Sequence, residues 1–233
     1  GDWTDEGNFT HGNNAVTFDG SGSRQITGNT VFHDLVLAGD GHYAIAPAVT
    51  VGGAGSITEN AKVVRTVSAA GHNKIYDGTS NASADLTLDN NLFDNWYDVS
   101  AGGYTGSFDT KNVGTGKQIQ VTNIALAGTD AGKFVLGSNS ASTAADITPK
   151  SISLGGLTAS NKVYDGTVGA TVSTAGAVFN GQVAGDNLTV ASSGVFSDKN
   201  VASGKTVTLT NTFGGTDLGN YTITDQGTTT ADI

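Results

Sequence analysis

Lys74-Ile75-Tyr76-Asp77-Gly78-Thr79 returns 88 positions later as Lys162-Val163-Tyr164-Asp165-Gly166-Thr167. The chain around it repeats as well. Phe108-Asp109-Thr110-Lys111-Asn112-Val113-Gly114-Thr115-Gly116-Lys117 returns at the same spacing as Phe196-Ser197-Asp198-Lys199-Asn200-Val201-Ala202-Ser203-Gly204-Lys205. Gly128-Thr129-Asp130-Ala131-Gly132-Lys133-Phe134 matches Gly215-Thr216-Asp217-Leu218-Gly219-Asn220-Tyr221, and Ala145-Asp146-Ile147 matches Ala231-Asp232-Ile233. Four anchors in one order, with almost no drift, define two copies of a module of about 85 residues.

Between the anchors the apolar residues alternate. Ile119 and Val121 correspond to Val207 and Leu209, and Phe134 and Leu136 to Tyr221 and Ile223. A period of two puts one face of a strand in a core and the other in water. Thr206–Thr224 reads as a hairpin around Gly-Gly-Thr-Asp-Leu-Gly-Asn. Many short strands without a helical period predict an all-β protein with tandem β-sandwich-like modules, at 67–149 and 150–233. Thr148-Pro149-Lys150 joins them, and Pro149 holds its predecessor extended, so the link is short and stiff. A module this small buries only about 60% of its unfolded surface, so neighbouring modules are expected partners. Residues 1–66 differ. Val16-Thr17-Phe18, Val31-Phe32, Leu35-Val36-Leu37 and Val49-Thr50-Val51 are spaced like the rungs of a β-solenoid-like segment; the alternative is a third, divergent sandwich.

The composition narrows the function classes. Of 233 residues, 34 are Gly and 2 are Pro, and there is no Cys or Met. Only 14% are charged, yet 37% are hydrophobic, which favours folded strands over disorder. A net charge of −10 repels phosphate backbones, so nucleic acid is not an expected partner. No apolar run approaches the ~20 residues of a spanning helix, so membrane insertion is not expected. No signal peptide is visible, which suits a mature fragment or an excised piece. The absence of Cys excludes disulfides; it fits a chain that must stay unlinked during export, or a biased composition.

Together the Lys-[Ile/Val]-Tyr-Asp-Gly-Thr opening, the Lys-Asn-Val middle, the Gly-Thr-Asp-x-Gly turn and the Ala-Asp-Ile ending resemble the YDG repeat. That repeat occurs in very large bacterial surface proteins of the filamentous-haemagglutinin type. The resemblance covers about residues 68–233, and Ile147-Thr148-Pro149-Lys150 resembles the link between successive repeats there. It implies a secreted or surface-anchored bacterial adhesin acting in adhesion, aggregation or biofilm. It implies a structural stalk or spacer with an extracellular or outer-surface location, and carries no catalytic residues. Whether such modules bind anything or only extend the molecule stays open.

The chemically suggestive residues each have a structural reading. Ser203-Gly204-Lys205-Thr206 lacks the upstream glycine of a phosphate loop, because Lys199 stands there. Tyr76 and Tyr164 read as buried rings with hydroxyls bonded to backbone, and Asp77-Gly78 and Asp165-Gly166 as turns. Asp109, Asp130, Asp146, Asp198, Asp217 and Asp232 suggest calcium only weakly, since no Asp-x-Asp-x-Asp-Gly loop occurs and Asx-turns explain them. No other cofactor is expected. Lys111-Asn112 and Lys199-Asn200 suit either solvated turns or a Lys–Asn amide crosslink. His11, His33, His42 and His72 lack metal-binding spacing, and no Gly-x-Ser-x-Gly elbow exists, so an enzyme is not expected.

One asymmetry separates the copies. The first carries Asn91-Leu92-Phe93-Asp94-Asn95-Trp96-Tyr97-Asp98, then Tyr104, where the second has Phe179–Asn187 without Trp or Tyr. Asp94, Asn95, Trp96, Tyr97 and Tyr104 form either a stacking platform for a host or bacterial glycan or protein, or an aromatic cap on the core.

Overall fold

The computed structural model describes residues 2–5 and 12–233, and His11 lies outside them. The protein is all-β. Apart from strands, the described residues hold only three 3-10 turns, Leu92–Asn95, Ala131–Lys133 and Leu218–Asn220. The chain divides into two compact units. The first comprises Gly1–His72, Asn81–Asp109 and Gln118–Ala145; the second comprises Asn73–Ser80, Thr110–Lys117 and Asp146–Ile233.

In the first unit, the apolar clusters of residues 1–66 stack in parallel. Ala15–Gly28 pairs with Asp34–Ile45 over twelve positions, Val16 on Leu35 and Phe18 on Leu37. Val31–Phe32 pairs with Thr50–Val51, and Leu35–Leu37 with Gly55–Ile57. In each of these pairs the partners lie 19 or 20 residues apart in sequence. In a strand alternate side chains share a face, so this register stacks like on like: Phe32, Leu35, Leu37, Ile57 and Val63 are buried in one core. Burial of each such side chain stabilises by about 1.5–3 kcal/mol. All of these pairs are parallel.

Lys62–Arg65 belongs to both patterns. It pairs in parallel with Asp34–Ile45 on one side and with Phe134–Leu136 on the other. The first repeat copy therefore lays its Phe134 strand onto the N-terminal stack, and Phe93 and Phe134 join the core of Phe32 and Leu37. Val67–Gly71 pairs with Ala84–Leu88, and Thr105–Phe108 with Ile119–Thr122, both antiparallel.

The second unit contains two principal sheets. Gly169–Ala170, Thr189–Phe196, Lys205–Gly214 and Thr228–Ala231 form an antiparallel sheet. Lys150–Gly155 pairs antiparallel with Val178–Asn180 and parallel with Tyr221–Thr224. Leu154, Phe196, Val207, Leu209 and Ala231 meet in a core contributed by both sheets. The hairpin expected over Thr206–Thr224 does not form. The Leu218–Asn220 turn carries the chain to the other sheet, where Tyr221 pairs with Lys150 instead of with its predecessor. Alternation alone marks both strands but does not say which partner each takes.

Candidate functional site

The turn at Leu92–Asn95 is set by its own residues. Asn91 caps it, accepting the Phe93 N–H, while the Asp94 carboxylate accepts the Asn91 N–H. Arg65, almost fully buried, fixes this turn: its guanidinium donates to Asp94 at 2.7 Å, to the Asp89 carboxylate at 2.9 Å and to the Asp89 carbonyl. It also lies over the Phe134 ring, 5.6 Å from its centre. Phe93 points into the core, and Trp96 follows against it, edge to face at 6.2 Å. Gly55 makes this possible. A Cβ there would sit 2.8 Å from the Trp96 ring.

Trp96 remains 38% exposed and borders a groove of about 470 Å³. The apolar side of the groove is formed by Ile45, Val49, Val51 and Leu92, and the polar side by Asn90, Asn91 and Asn95. An exposed aromatic face beside carboxamides is suited to a polar ligand with an apolar face, such as a sugar ring. Of the five residues singled out in the sequence, Trp96 and Asn95 line the groove. The other three are engaged elsewhere. Asp94 holds Arg65. Tyr97 accepts the Ile57 N–H at 2.8 Å, packs edge-on against Phe134, and has the Lys133 amine 5.6 Å above its ring. Tyr104 accepts the Ala84 N–H at 2.9 Å.

The repeat motif has an internal chemistry that both copies share. Asp77 accepts the Thr79 N–H at 2.8 Å and the Lys74 amine at 2.8 Å; Lys74 also reaches the Thr79 carbonyl at 2.8 Å. Asp165, Lys162 and Thr167 reproduce these bonds at the same three distances. Gly78 and Gly166 supply the φ of +80° and +77° that closes the turn. The Lys162 amine, then the Thr167 N–H, holds Asp165 down at about 2. For Asp77, burial favours the neutral acid, but the bonds from Lys74 and Thr79 outweigh it and its pKa is lowered.

Beyond this turn the copies diverge. Tyr76 is 1% exposed and its hydroxyl donates to Asp186 at 2.7 Å, a carboxylate and not the backbone group expected. Tyr221 donates to the same oxygen at 2.6 Å, and Lys111 to the other at 2.8 Å; Lys111 also lies 3.4 Å from Asp217. The Asp186 side chain is only 2% exposed. Its burial disfavours the charged form, but three donors more than compensate and its pKa falls. Burial, then the bond to Asp186, raises Tyr76 and pushes Tyr221 up to about 12. The bonds to Asp186 and Tyr76 raise Lys111. Asn112 and Val113 complete the cluster: Asn220 donates to the Asn112 side chain at 3.2 Å and accepts the Val113 N–H at 2.9 Å. In the second copy Tyr164, Lys199 and Asn200 are exposed.

Asp186, Tyr221, Asn220 and Arg65 were not singled out in the sequence. The first three were accessible from the alignment of the copies. The Asp98 N–H on Asp130 matches the Asn187 N–H on Asp217, which places Tyr97 at the position of Asp186. The same alignment sets Lys133 and Phe134 against Asn220 and Tyr221. A carboxylate in place of an aromatic ring, a carboxamide in place of a cation and a phenol in place of a phenyl ring signal a changed neighbour. Arg65 shares a strand face with Val63, a cation on an inward register.

Among the described residues no group of three or more His, Asp or Glu is placed to hold a metal ion. No curated protein and no solved structure matches the chain. The YDG domain family model matches it twice, at residues 60–144 and 148–231. With most of its length matched and the motif turns superposing bond for bond, the chain belongs to the YDG domain family, as two tandem copies.

Proposed function

We propose that the chain is a structural repeat segment of a secreted or surface-anchored bacterial adhesin. In this reading the YDG modules extend a stalk, without catalysis or cofactor, and the parallel rungs before them are a β-solenoid-like segment. Adhesion, aggregation or biofilm formation is the role of the whole molecule, outside the cell. One observation carries the reading: the motif residues are used to hold modules together. Tyr76 and Lys111 of the first copy share the Asp186 carboxylate of the second instead of facing a cavity. A buried polar cluster with its donors satisfied rigidifies a join and specifies its geometry.

The Trp96 groove favours a second reading, a glycan- or receptor-binding module, because an exposed tryptophan stands beside three carboxamides. A glycan and host-protein binding screen of the intact chain, beside Trp96→Ala and Asn95→Ala, separates the two. The spacer reading expects no saturable binding from any of them, with folding checked by circular dichroism. Saturable binding by the intact chain that both substitutions abolish would replace it with the recognition reading.

A further inference from the structure

The second copy presents, uncovered, the face that the first copy has covered. Tyr76 is 1% exposed and Tyr164 52%. The Val113 N–H is bonded to Asn220, whereas its counterpart Val201 is 71% exposed. A Cβ on Gly78 would strike Val183 at 2.6 Å, while a Cβ on Gly166 would meet nothing within 4 Å. Yet the turn beneath is the same in both copies, with the same Lys–Asp–Thr bonds. The turn that carries Tyr164 is therefore already in the conformation of the engaged one.

Resting on the reading of the chain as a stalk of repeats, we infer that Tyr164, Lys199, Asn200 and Val201 form a docking face for a further YDG module. The occupant is specified by chemistry. It carries a carboxylate in the place of Asp186, a tyrosine in the place of Tyr221 and a carboxamide in the place of Asn220. A module of the first copy's type does not qualify. It has Tyr97, Lys133 and Phe134 at those positions, so it lacks the carboxylate for Lys199 and the carboxamide for the Val201 N–H. A second copy of this chain does not qualify either, because its own Tyr76 and Lys111 occupy Asp186. The second copy thus has two unlike faces, a carboxylate receiver and a tyrosine–lysine donor, so that addition is head-to-tail and directional.

The test is an extended chain in which residues 148–233 are repeated directly after Ile233. Amide exchange at Val201 is compared in the natural and extended chains, together with Tyr164→Phe and Lys199→Ala in both. The expected result is at least tenfold slower exchange at Val201 in the extended chain. Asp186→Asn in the added module should abolish that slowing. Each substitution should lower the melting temperature of the extended chain by several degrees and leave the natural chain within one degree. Equal exchange at Val201 in the two chains, with the added module folded, overturns the inference. So does slowing at Val201 that is accompanied by dimers, which would indicate exchange of modules between chains. Neither readout depends on the Trp96 groove, so ligand binding there would remove the spacer reading without altering this result.

Discussion

Replacing Asp186 by Asn keeps the shape of the side chain and removes its charge. Two buried hydroxyls, Tyr76 at 2.7 Å and Tyr221 at 2.6 Å, donate to one carboxylate oxygen. A hydrogen bond to a charged group contributes about 1.5–3 kcal/mol and a neutral one about 1 kcal/mol. The exchange therefore loses about 1 kcal/mol at each hydroxyl, or about 2 kcal/mol in all. Lys111, with 39% of its side chain exposed, regains water and is left out of that figure. The second unit holds about a hundred residues, for which 1 kcal/mol moves the melting temperature by about 4 °C or more. Scanning calorimetry of Asp186→Asn should show the transition of that unit about 8 °C lower, with the first unit's unchanged. Combining Asp186→Asn with Tyr76→Phe should cost about 1 kcal/mol less than the sum of the two alone, because both weaken the same bond. A shift below 2 °C, or simple additivity, would refute the claim that this carboxylate organises the unit.

Tyr76→Phe should destabilise by about 1–2 kcal/mol in urea unfolding, and Tyr164→Phe, at the same motif position, by no more than about 0.5 kcal/mol. Tyr221 ionises at about 12 in the folded chain against 10.0 when unfolded, so its stabilisation is complete below pH 10 and is lost between pH 10 and about 12. Absorbance at 295 nm with circular dichroism should show that loss, and Tyr221→Phe should remove it. At the acid end the sign reverses: Asp165, held at about 2, stabilises above pH 3.8, and its contribution disappears as pH falls through 2, which a carboxyl NMR titration measures directly. Gly55→Ala drives a methyl into the Trp96 ring, so in a Trp3→Phe background tryptophan emission should shift to the red. Arg65→Met should release the Asp94 turn and lower the first unit's stability by about 2–3 kcal/mol, with the same spectral shift.

Local rules made much of this fold legible. Alternation located Ile119, Val121, Val207 and Leu209, which are all buried, and the repeat located the Asp–Gly turns with their lysines. Pairing was less accessible, because alternation fixes which face of a strand is buried and not its neighbour. The Tyr221 strand accordingly lies beside Lys150 and not beside Lys205–Gly214. The apolar clusters of residues 1–66 were visible, but their register was not: Leu35 pairs with Val16 and with Gly55, not with Val49, and Lys62–Arg65 pairs on both sides. At the candidate site, a cluster of aromatics was the only signal for residues 91–98. It could not say that Tyr97 turns to Ile57 while Trp96 stays outside. Roles that depend on partners 75 or 110 residues away, as for Lys111 and Tyr76, emerge only when the two copies are compared position by position.

The bond between Tyr76 and Asp186 also sets an order of assembly. It closes a loop of 110 residues, whereas the N-terminal parallel strands pair at separations of 19 or 20. Loop-closure entropy makes the longer contact about 1.5 kcal/mol harder to nucleate, and such distant contacts form late in folding. A chain that emerges from its N-terminus pairs these strands within a few dozen residues of synthesis. Tyr76 and Lys111 then wait, with their donors in water, until Asp186 and Tyr221 arrive. The first module is finished by the second.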